Sequence, residues 1–169
     1  FVLVYMFMGF SYKTVLGFIL ILIMMSVFIT DFKDMIILDS TILVGTILAY
    51  IFIYLDLGIW DGVYKSILYG VFAFVFMFLV KVLGDAAFKR ESLGGGDIKL
   101  AFLMGSVLPY NLFLISLVVA SLSALPYAIY VSMTKGTHEL AFGPFLTVGL
   151  FVTFLFQSDI VHILDLLIG

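Results

Sequence analysis

The sequence predicts an all-α fold, a polytopic bundle of transmembrane helices, on three observations. Hydrophobic residues make up 64% of the 169 residues and charged residues 11%, where soluble domains have roughly 45–50% apolar and about 25% charged residues. The mean hydropathy is +1.31. The apolar residues also come in long runs, several near the roughly 17–25 residues of a spanning helix, with short polar breaks between them.

Taken in order, the runs are Phe1–Met8, Thr14–Thr30, Thr41–Leu55, Val63–Leu83, Ile98–Leu108, Asn111–Met133 and Leu140–Phe156. They predict about six to seven membrane helices in a single membrane-embedded domain, residues 1–169, with no second soluble domain. Phe1–Met8 has no basic flank and no small-residue cleavage site, so it is not a signal peptide. It reads as the end of a helix whose start is missing, which implies an N-terminus truncated within a helix. Ile98–Leu108 is short for a span and is read as a short crossing that starts below the membrane surface.

Loop charges give an orientation. Placing the breaks alternately on two sides puts Lys33, Lys81, Lys89, Arg90, Lys99 and Lys135 on one side, against Lys13 and Lys65 on the other. The excess of Lys and Arg marks the first side as cytoplasmic. Asp31 and Asp97 both fall there. The segment Gly84–Gly96, with Asp85, Lys89, Arg90 and Glu91, reads as a loop held in water by its charges.

Ionisable groups at membrane depth are costly and therefore candidate functional residues. Asp97 follows Gly94, Gly95 and Gly96 at the start of an apolar run. Its plainer reading is a helix N-cap, but three glycines exceed what a cap needs and would let an extended peptide lie close to the backbone. Asp31 closes the run Thr14–Thr30, and its plainer reading is a solvated interfacial charge beside Lys33 and Asp34. Asp39 reads as the cap of the helix near Thr41. Two carboxylates at one face can share a proton, one serving as base toward water and the other as acid toward a carbonyl. Helix dipoles would place that proton on Asp31, at a C-terminus, rather than on Asp97, at an N-terminus. The net charge of −3 says little about partners, and no nucleic acid is expected. Cysteine is absent, which excludes disulfides and thiolate metal sites. There is no G-x-S-x-G or H-E-x-x-H motif, and His138 and His162 are too few for a metal cluster.

Three segments then resemble one family. Thr30-Asp31-Phe32-Lys33-Asp34 through Asp39 resembles the first motif of type IV prepilin peptidases. Leu93-Gly94-Gly95-Gly96-Asp97-Ile98-Lys99 is very close to their second, G-x-G-D. Ala141-Phe142-Gly143-Pro144 resembles a Phe-Gly-Pro segment near the C-terminus of bacterial members. The resemblance implies a GxGD aspartic endopeptidase of the bacterial inner membrane with Asp31 and Asp97 as the catalytic pair on the cytoplasmic face. Gly94, Gly95 and Gly96 would position the substrate, a prepilin or pseudopilin whose basic leader is removed just after a glycine. Asp34, Asp85 and Glu91 are available to meet that leader.

Besides the substrate, the lipid bilayer is the expected partner. No cofactor or metal is expected in this chain. S-adenosylmethionine would enter only with an N-terminal methyltransferase domain, whose cysteine zinc motif is absent here. Competing readings are an ion-coupled transporter using Asp31 and Asp97 as proton sites, a presenilin-like GxGD protease, and a structural assembly subunit.

Overall fold

The computed structural model describes residue 4 and residues 12–89, 93–135 and 141–168. The described elements are helices. In chain order they are α1 (Tyr12–Asp34), α2 (Asp39–Gly58), a π-helical turn (Ile59–Tyr64), α3 (Lys65–Phe88), α4 (Gly95–Val107), α5 (Tyr110–Lys135), α6 (Gly143–Leu155) and α7 (Gln157–Ile168). Apart from Val4, the expected helix end at Phe1–Met8 lies outside the described residues, as do Glu91 and His138.

Four stretches are long and apolar enough to cross a membrane: Lys13–Asp34, Asp39–Gly58, Asp61–Ala87 and Tyr110–Met133. A fifth exists if α6 and α7, which meet at a bend of 73°, form one broken span. The chain is thus an all-α polytopic bundle. Its outer surface is apolar, as lipid contact requires: Leu43, Val75, Leu79, Leu122 and Leu125 are all exposed.

The loops at one end of the bundle build the site. Met35 ends α1 in the left-handed region, with φ 53°, and its N–H bonds back to the Asp31 carbonyl at 3.0 Å. The chain then runs through Ile37, which turns inward and is 8% exposed, into α2. Leu38 occupies the N-cap position. Asp39 falls in the first turn and takes both carboxylate oxygens to Lys99 of α4 at 2.7 Å. At the far end, Gly58 has φ 79° and makes the corner between α2 and the π-helical turn, a backbone conformation for which glycine is suited.

Two expectations are revised. Gly84 to Ala87 are helical rather than loop, because α3 runs on to Phe88 and stops only where Lys89 turns left-handed at φ 53°. Asp85 is one turn beyond Lys81 on this helix, and the two pair at 3.6 Å. The segment read as Ile98–Leu108 starts earlier, at Gly95, and its 13 residues reach only about 20 Å at 1.5 Å each. Ile98, Leu100, Ala101, Leu103, Met104, Gly105 and Ser106 are all buried on it. This helix is a core strut held among α2, α3 and α6.

Small residues let the helices approach closely, as membrane packing favours in the absence of a hydrophobic drive between helices. A Cβ at Gly105 would come 2.5 Å from the Tyr69 carbonyl oxygen and the Ala73 side chain of α3. One at Gly149 would run into the Ser116 carbonyl oxygen of α5. Backbone atoms cannot swing aside as a side chain can, so Gly149→Ala is expected to force α5 and α6 apart, at about 1–3 kcal/mol as for other overpacked cores. Thermal unfolding in detergent should show a clear drop in midpoint. Gly95→Ala, whose Cβ meets nothing within 4 Å, should melt like the parent protein. Equal midpoints for the two variants would mean that the helix pair is not held at backbone contact.

Candidate functional site

Among the described residues, Asp31 and Asp97 are the two buried carboxylates, at 5% and 8% exposure. They come from different helices, the last turns of α1 and the first turn of α4. They lie near enough for the charge of one to act on the other. Isolated charges buried in an apolar medium are expensive unless hydrogen-bonded, so the donors that reach them define the site.

Asp31 Oδ2 accepts the backbone N–H of Gly143 at 3.0 Å. Gly143 opens α6, and the first amides of a helix have no partner within it. Pro144 follows within the first turn, where its missing N–H removes no helical bond. A Cβ on Gly143 would sit 2.8 Å from Asp31 Oδ2 and 2.7 Å from Ile37 Cδ1. Glycine is therefore required here by close approach. Its partner is 112 positions away in the chain, so spacing alone could not have revealed the bond. The one signal was the Phe142-Gly143-Pro144 segment.

Asp97 is not an N-cap. Gly94 is, in an extended conformation with φ −68° and ψ 146°. Asp97, the third helical residue, folds its carboxylate back onto the Gly94 backbone, with Oδ2 3.2 Å from where a Gly94 Cβ would sit, so that the Gly94 N–H is its donor. This is the half of a capping box that an acidic side chain at that position supplies. Gly96 faces Ile37, and a Cβ there would lie 3.0 to 3.3 Å from that side chain. The same Ile37 closes against Gly143, so it packs beside both glycine segments that flank the carboxylates. The three glycines therefore differ: Gly94 caps, Gly96 makes room for Ile37, and Gly95 is exposed with open space around its Cα.

The dipole distinction between the two acids does not survive this geometry. Although Asp31 is near the C-terminus of α1, it meets the N-terminus of α6, and Asp97 sits at the N-terminus of α4. Each carboxylate faces the positive end of a helix, so dipoles no longer choose between them. Lys81 adds a cation close enough to act on Asp97.

The other candidate residues are more distant from this chemistry. Asp34 is exposed at the end of α1, and Asp85 is paired with Lys81. His162 is exposed on α7. Among the described residues, no group of three or more His, Cys, Asp or Glu side chains is gathered as metal ligands would be. Two adjacent carboxylates, each with an amide donor, form a site that can hold a water and pass a proton to and from it.

The model of the type IV leader peptidase family matches residues 18–129, a stretch that holds both aspartates and the glycine segment. No curated protein matches the chain, and neither does any solved structure.

The Gly143 contact makes a structural prediction that needs no assay of activity. Gly143→Ala should displace the Asp31 carboxylate and alter the carboxyl and carboxylate infrared bands that Asp31→Asn removes. Gly95→Ala should leave those bands in place. Unchanged bands in Gly143→Ala would show that Asp31 does not depend on this amide.

Proposed function

Since the chain belongs to the type IV leader peptidase family, we propose that it is a membrane aspartic endopeptidase with Asp31 and Asp97 as its catalytic dyad. One observation carries this reading: two buried carboxylates, from helices α1 and α4, each held by a glycine amide at a helix N-terminus. Nothing in a merely structural pair of acids calls for such a placement in an apolar bundle, where unpaired ionisable groups are selected against.

The chemistry follows from the pair. With one proton shared between two adjacent carboxyls, the ionised member takes a proton from a bound water. That water attacks the scissile carbonyl carbon. The protonated member meanwhile donates to the carbonyl oxygen, giving a neutral gem-diol. Collapse of the diol breaks the C–N bond as a proton passes to the leaving amine. The dyad then returns to its singly protonated state. Because the two groups titrate together, a pH–rate profile would report values for the pair. The exposed Gly94–Gly95 backbone beside Asp97 offers room for an extended peptide to approach without side-chain interference.

The substrate of this reading is a prepilin or pseudopilin with a basic leader followed by an apolar helix, cut at the cytoplasmic face of the inner membrane. The distribution of lysines supports that orientation. Lys33, Lys81, Lys89 and Lys99 lie toward the dyad end of the bundle, and Lys13 and Lys65 toward the other. Asp34, exposed one turn beyond Asp31, is placed to meet a basic leader, and Asp85 and Glu91 would add to it.

The deciding experiment is cleavage of a purified prepilin by the wild-type protein, Asp31→Asn and Asp97→Asn in detergent or liposomes. Each Asn variant should lose at least about 10²–10⁴-fold in kcat, the contribution of a positioned acid or base, while remaining folded. Near-normal cleavage by either variant would remove that residue from the dyad. Asp34→Asn should leave kcat intact and raise KM less than about fivefold, an effect that fades with added salt because exposed charges are weakly coupled and screened. A KM unchanged at low salt would exclude Asp34 as a leader contact.

A further inference from the structure

Lys81 is an ammonium on a stretch apolar enough to span the membrane, and such a charge is expensive unless it is given partners. Its side chain is 20% exposed. Nζ donates to the carbonyl oxygen of Leu93 at 2.7 Å, across from α3 to the segment that leads into α4. Asp85, one turn further along α3, is 3.6 Å from Nζ and leaves that short bond as the closer contact.

The Leu93 carbonyl and the Gly94 N–H are the two ends of one peptide unit. That unit is planar, and its C=O and N–H cannot turn independently. Lys81 holds its oxygen, and its nitrogen belongs to Gly94, against which the Asp97 carboxylate folds back, with Oδ2 3.2 Å from where a Gly94 Cβ would sit. A cation on the carbonyl also polarises the amide, which strengthens the bond that the N–H donates. The chain of contacts therefore runs from Lys81 through a single peptide plane to Asp97.

We propose that Lys81 is a positioning residue, which fixes the Leu93–Gly94 peptide plane so that its N–H aims the Asp97 carboxylate. The role rests on the endopeptidase reading for its kinetic consequence, but not for its structural one. Loss of the ammonium frees the plane to rotate, and Asp97 loses the donor that orients it. Gln keeps a neutral donor on a shorter stem. Arg keeps both charge and donors on a stem of similar length.

The test has two arms. In the first, hydrogen exchange at the Gly94 amide is measured in folded, detergent-solubilised protein, with the Leu103 amide in the buried core of α4 as reference. Lys81→Met should speed exchange at Gly94 by about 10- to 100-fold, the worth of a hydrogen bond from a charged group, with Leu103 unchanged. Lys81→Arg should stay within a fewfold of the parent, and Lys81→Gln should lie between. In the second arm, Lys81→Met should lower kcat for leader cleavage by a similar factor with KM within about twofold, and Lys81→Arg should restore it.

Unchanged exchange at Gly94 overturns the proposal. So does parallel acceleration at Leu103, which would mean that Lys81 only stabilises the fold. Normal kcat despite faster Gly94 exchange would overturn the link to Asp97. Should the wild-type protein cleave no leader at all, the endopeptidase reading fails, and the exchange arm still decides whether Lys81 holds the peptide plane.

Discussion

The need to satisfy two carboxylates inside an apolar bundle governs how the dyad end of this protein is built. At 5% and 8% exposure neither acid can rely on bulk solvent for its hydrogen bonds. Backbone amides are available, but only where a helix begins and leaves its first N–H groups unpaired. The chain therefore brings two helix starts, Gly94 and Gly143, to the two acids. Ile37, on the short connection between α1 and α2, packs against Gly96, beside Asp97, and against Gly143. Displacing Ile37 would disturb the surroundings of both carboxylates, because it packs beside each.

The same constraint explains why α4 is short and central. A helix starting at full membrane depth would bury its N-terminus in lipid, where unpaired amides have no partner. α4 instead starts at Gly95 beside the dyad, ends at Val107, and is enclosed by its neighbours over most of its surface. Its fit depends on small contacts, Gly105 against Ala73 and Tyr69, and Ser106 bonded to Tyr50 at 3.0 Å. A rigid strut of this kind sets the height and rotation of Asp97 with little freedom left over.

Much of this was legible in the sequence, and what was not has physical reasons. The helical class followed from composition and run length. Asp31 and Asp97 stood out because acids are rare in apolar runs and two of them sat in recognisable segments, and the structure brings them together. The extent of α3 was hidden because Gly84, Asp85 and Lys89 look like loop residues. In the structure Asp85 instead pairs with Lys81 one turn back on the same helix, which runs on past Gly84 to Phe88. The place of Asp97 in its helix was misread by three residues, since an acid after glycines suits either the cap or the third position of the first turn. The contribution of Gly143 was out of reach of local reasoning: an amide carries no side-chain signature, and its partner is on the first described helix. Lys81 counted in the sequence only as one positive charge among several.

The bond between Gly143 and Asp31 also bears on how the protein is made. Asp31 leaves the ribosome 112 residues ahead of Gly143, and α1 can enter the membrane before α6 exists. Until Gly143 arrives, that carboxylate has no amide to rest on, and a nascent chain ending anywhere before α6 carries an incompletely assembled pair. Maturation of the site is thus tied to synthesis of the closing helices.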